Sequence, residues 1–74
     1  MKNFRVRIKN LREARGLTIE QLIINAKITR PMDKVAFLMI RAWESGLGKL
    51  SNSMLIKLAQ YFNVSVDYLL GESN

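Results

Sequence analysis

Apolar residues recur along this chain at helical spacing, and the runs are broken by residues that cap or stop helices. Phe4, Ile8 and Leu11, with Ala14 or Arg15, fall on one face, while Arg5, Arg7, Lys9, Arg12 and Glu13 lie between them. Gly16 occupies the usual C-terminal stop position. Thr18 then offers an N-cap for a second helix over about residues 19–26. Leu22 is its main core residue, with Ile23 and Ile24 adding apolar bulk. Lys27 closes that run but is neither Gly nor Asn, so the helix carries no ordinary stop signal.

Ile28-Thr29-Arg30-Pro31 interrupts the pattern. A residue before proline is turned away from the helical region, and Pro31 fits the first turn of a new helix. Asp33 then lies near that helix's positive end, where a carboxylate is favoured. From Lys34 the stretch KVAFLMIRAWES is nearly all apolar. Residues 35–40 have the length of a buried strand, but no partner strand or hairpin signal occurs elsewhere, so the stretch reads as helix. Ser45-Gly46-Leu47-Gly48 reads as a loop, with Gly46 ending the helix.

Ser51 caps a fourth helix over residues 52–62, whose Leu55, Leu58, Ala59 and Phe62 share one face. Asn63 suits a left-handed C-terminal position, and Val64 is expected to be buried. Ser65 caps a short fifth helix, residues 66–70, ended by Gly71, and residues 72–74 are expected to fray. The fold class that follows is all-α, a compact five-helix bundle.

Length makes this one domain over residues 1–74, too short for a second core. The sequence contains neither cysteine nor histidine. Disulfides, thiolate or imidazole metal sites and catalytic arrangements built on those residues are therefore excluded. Its six carboxylates are scattered through helices and give no nucleophile–base pair, so no enzyme, cofactor or metal is expected. No apolar run is long enough to cross a bilayer and no signal peptide is evident, which leads to the expectation of a cytoplasmic protein without a membrane partner.

Charge adds a direction. The formal charge is +6. Residues 1–41 hold ten basic and three acidic side chains, whereas residues 42–74 hold two basic and three acidic ones. The first half is thus expected to carry a polyanion-binding face.

Three segments then agree in order and distance with a known family. RIKNLREARGLT (residues 7–18), RAWESG (41–46) and LSNSMLIKLAQYFNVSVDYLLG (50–71) resemble the Cro and phage-repressor type of helix-turn-helix domain, also called XRE-like. The resemblance implies a lambda-repressor-like bundle whose second and third helices read double-stranded DNA, the third in the major groove. It places the recognition unit at about residues 18–46 and the C-terminal helices within 52–70. It implies an ion pair between Arg12 and Glu44 beneath the bundle, and a core rather than base-stacking role for Trp43.

Departures from the family pattern cluster in the recognition unit. The interval from Ile28 to Gly46 is longer than usual by about seven residues, which at about 100° per residue is about two helical turns. The excess, near residues 31–37, either lengthens the third helix at its start or forms a loop that lets the helix begin near Phe37. Ile23 stands where the family prefers a small residue, Lys27 where it has Gly, Ile19 where it opens the second helix with a polar residue, and Leu50 where it has Pro. Phe37, Leu38 and Met39 fall where polar recognition side chains are expected.

For DNA, the candidate phosphate contacts are Thr18, Thr29, Ser45 and Lys49, and the candidate base readers are Arg30, Lys34 and Arg41. Met32 and Phe37 are candidates for thymine methyls or, more simply, for packing. The leading function is a sequence-specific transcriptional regulator, a repressor acting as a homodimer at the nucleoid. Val66, Tyr68 and Leu69 beside the Leu47 loop are the dimer candidates, with the inserted Met32, Val35 and Phe37 as the competing surface. The alternative is a helix-turn-helix-fold interaction module, antirepressor or antitoxin-like, whose apolar recognition face takes a protein partner.

Overall fold

The computed structural model describes residues 5–28 and 34–72. Among them lie five helices and no strand: α1 (Val6–Ala14), α2 (Ile19–Asn25), α3 (Lys34–Glu44), α4 (Asn52–Phe62) and α5 (Val66–Leu69). Start signals act as their chemistry requires. The Thr18 hydroxyl accepts the Gln21 N–H at 3.1 Å while the Gln21 side chain accepts the Thr18 N–H at 2.8 Å, a reciprocal capping box. Ser51 caps α4 through Met54 N–H, and Ser65 caps α5 through Tyr68 N–H.

All five helices end in the same way. Each closes with a left-handed residue whose own N–H and whose successor's N–H turn back onto the last carbonyls. At α1 these bonds run from Gly16 to Glu13 and from Leu17 to Arg12. At α3 they run from Gly46 to Trp43 and from Leu47 to Ala42, and at α5 from Gly71 to Tyr68 and from Glu72 to Asp67. At α4 the left-handed residue is Asn63, with φ 57°. At α2 it is Lys27, also with φ 57°, its N–H on the Ile24 carbonyl and the Ile28 N–H on the Ile23 carbonyl. The missing stop signal therefore marks a strained stop, not a longer helix.

Ile8, Leu22, Ile40, Leu58 and Leu69 are fully buried at the centre, ringed by Ile23, Ala36, Trp43, Leu50, Met54, Leu55 and Phe62. Ile23 is inside the bundle despite its bulk, and α3 presents a small residue, Ala36, to the same interior. Ile24, expected to add to the core, is instead half exposed. α2 is two turns long and Leu22 and Ile23 take its inward positions, which rotates the next residue out. Val64 is partly buried against the core. α3 is already helical at Lys34, a turn ahead of Phe37, so the alternative in which it begins near Phe37 is corrected. The turn and start signals at Thr29, Arg30, Pro31 and Asp33 lie outside the described residues.

Lys27→Gly is expected to stabilise the fold by about 0.5–1 kcal/mol, since a β-carbon in the left-handed region is strained and glycine's is not. Urea unfolding of both proteins measures this, with the slope unchanged and the midpoint raised.

Candidate nucleic-acid interface

Four arginines of the first fifteen residues bond back onto the bundle. Arg5 donates to the carbonyls of Leu47 and Gly48, both at 2.9 Å, and its guanidinium lies 4.1 Å from the Trp43 ring centre. Arg7 donates to the Tyr68 carbonyl at 2.6 Å and stacks on the Tyr68 ring. Arg15 donates to the Tyr61 carbonyl and lies over the rings of Tyr61 and Phe62. Arg12 forms a two-toothed bond with Glu44, Nε to Oε2 at 3.0 Å and Nη2 to Oε1 at 2.8 Å, and its third nitrogen holds the Leu17 carbonyl at 2.8 Å. The Glu44 hydrogen bonds raise the Arg12 pKa above its ordinary value, against the lowering effect of burial.

These contacts correct the charge argument. Much of the basic excess of residues 1–41 binds carbonyls, rings and one carboxylate of the bundle itself. Spacing was the available signal: Arg5 and Arg12 are seven apart, Arg7 and Arg15 eight apart, so each pair shares a helix face. The first pair reaches α3 and the loop after it; the second reaches α5 and α4.

The same contacts set out a surface. Arg12 ties the residue before Thr18 to the residue before Ser45, so the start of α2 and the end of α3 are held to one guanidinium. Arg5 holds the loop from Leu47 that carries Lys49. Thr18, Lys34, Arg41, Ser45 and Lys49 are all exposed. Along α3 the outward stripe is Lys34, Val35, Leu38 and Arg41, continuing to Ser45 just past its end. Its opposite side buries Ala36, Ile40 and Trp43. Phe37 and Met39 are partly buried against the core, so the front of the helix is carried by neighbouring positions. Thr29, Arg30 and Met32 lie outside the described residues.

One candidate dimer residue is corrected. Leu69 is 0 % exposed and is a core side chain, because α5 docks on the bundle through it. Val66 and Tyr68 remain partly exposed. Sequence reasoning did not single out Gln21, whose place three residues after an N-cap threonine is the pattern of a capping box. Among the described residues no group of carboxylates is arranged to hold a metal ion, and no helix is long and apolar enough to cross a membrane.

Residues 35–69 match the family described as Helix-turn-helix. Those residues are similar to the XRE type of helix-turn-helix. The matched stretch runs from the second residue of α3 to the end of α5, and α1 and α2 precede it. The match supports a DNA-binding regulator of that type. No curated protein and no solved structure matches the chain.

Arg12→Ala is expected to cost about 3 kcal/mol, because Glu44 would be left buried and unpaired; the two side chains are 12 % and 7 % exposed. Replacing both, Arg12→Met with Glu44→Leu, should recover a large part of that loss. Chemical unfolding of the single and double variants reads the difference.

Proposed function

We propose that this helix-turn-helix represses transcription at the nucleoid as a homodimer, with α3 in the major groove and no enzymatic activity of its own. The observation that supports this best is the outward stripe of α3. It carries Lys34 and Arg41, and the carboxylate of that helix, Glu44, is turned to Arg12. A stripe with its cations outward and its acid withdrawn suits a groove walled by phosphates. In this reading Arg41 and Lys34 read base edges, Arg41 through the guanine O6 and N7 atoms. Thr18, Ser45 and Lys49 bind phosphates and fix register. Thr29 and Arg30 keep their proposed roles, a phosphate contact and a base reader.

Dimerisation is assigned to the end of the bundle where α1 begins. Arg5 and Arg7, two residues apart, hold the Leu47 loop and Tyr68 beside that start. Leu47 is 65 % exposed there. A contact of this size is small, so the dimer in free solution is weak and concentration-dependent. Sedimentation velocity of wild type and Leu47→Asp tests the surface: the variant is expected to remain monomeric at concentrations where the wild type pairs. Undiminished pairing would move the dimer contact elsewhere.

The interaction-module reading is favoured by one observation, the exposure of Ile24, Val35 and Leu38. Selection from a pool of random duplexes across a salt series separates the two. A selected sequence bound with steep salt dependence supports the regulator, and salt-insensitive or absent binding supports the module. On the selected duplex, Arg41→Ala is expected to lose about 1–3 kcal/mol and relax one position. Lys49→Ala should instead weaken all duplexes alike and flatten the salt slope by about one.

A further inference from the structure

The stripe that faces outward on α3 is mixed. Leu38 is 58 % exposed and Val35 64 % exposed. Lys34 stands four residues before Leu38, and Arg41 three residues after it, on the same side of the helix. The helix packs on the bundle through other positions: it buries Ala36, Ile40 and Trp43 and seats Phe37 and Met39 against the core. The flanking cations suit a polyanion. A major groove combines phosphate walls with one exposed apolar group, the C5-methyl of thymine.

Resting on the DNA-binding reading above, we propose that Leu38 is a specificity-determining residue that packs on a thymine methyl, with Val35 a turn before it extending the same contact. Geometry limits where that thymine lies. A rise of about 1.5 Å per residue puts Leu38 about 4.5 Å along the helix from Arg41, against about 3.4 Å between base steps. The thymine therefore falls within two base pairs of the guanine that Arg41 reads. The half-site is a guanine with one or two thymines within two base pairs of it, and its recognition is part hydrogen bond and part methyl packing.

The test uses the full chain and a duplex it selects from a random pool. Each thymidine of that duplex is replaced in turn by deoxyuridine, which pairs identically and lacks only the methyl group. Wild type is expected to lose about fourfold in affinity at one or two positions, the value of one buried methyl-sized group. Those positions should lie within two base pairs of the guanine to which Arg41→Ala becomes indifferent. Leu38→Ala, at an exposed site, should bind the thymidine and deoxyuridine duplexes alike and keep the wild-type salt slope. Equal wild-type binding to both duplexes overturns the assignment while leaving DNA binding intact, and so does a selected site with no thymine in that window. A pool that yields no selected sequence overturns the DNA-binding reading and this inference together, and turns the stripe toward a protein partner.

Discussion

The geometry of the reading unit depends on the Arg12 guanidinium. Its three donor directions hold the Glu44 carboxylate at the end of α3 and the Leu17 carbonyl just before α2. A planar fork is needed for this, and a lysine ammonium could not hold both partners in fixed directions. Because Arg12 itself belongs to α1, three elements are aligned through one side chain. Glu44 is bound beneath the bundle, so α3 presents its basic residues outward without the carboxylate that would repel a phosphate backbone.

The other arginines in and beside α1 repeat that logic with other partners. Arg5 fixes the loop after α3, Arg7 fixes α5 and Arg15 fixes the end of α4. Each guanidinium satisfies a carbonyl and covers an aromatic ring, so the long aliphatic stems also shield apolar surface. A domain of this size buries a limited core, and these struts add directional contacts where apolar area is short. The consequence for function is a smaller working charge than the composition suggests. The cations left on the outer face of α3 and its following loop, Lys34, Arg41 and Lys49, are the ones placed to meet a ligand.

Most of the scaffold was legible in the sequence because local signals and tertiary needs agree there. Ser51, Asn63 and Ser65 mark their boundaries through side-chain and backbone chemistry confined to a few residues. The short-range code failed at Lys27, where the fold imposes a left-handed turn on a residue that does not favour it. Leu69 was misjudged for a different reason. In a four-residue helix, periodicity is too short to distinguish the docked side from the free one, and only packing on the bundle decides. Of the candidate surface, the exposure of Arg41, Ser45 and Lys49 was legible in their residue types. Its polarity was not. Net charge counts every arginine equally, whereas Arg5, Arg7, Arg12 and Arg15 face partners that lie between five and sixty-one residues away in the chain.

Labour is divided in this domain: the arginines of the first fifteen residues hold the bundle and, in the proposed function, α3 meets DNA. Arginine side-chain Nε–H resonances observed by NMR during titration with a selected duplex test it most directly. Arg12 is expected to give a slowly exchanging signal in the free protein, and the signals of Arg5, Arg7, Arg12 and Arg15 are expected to stay in place through the titration, while the Arg41 signal shifts and becomes protected. Shifts at Arg7 and Arg15 with an unmoved Arg41 would contradict it, by making the first helix the polyanion-binding face.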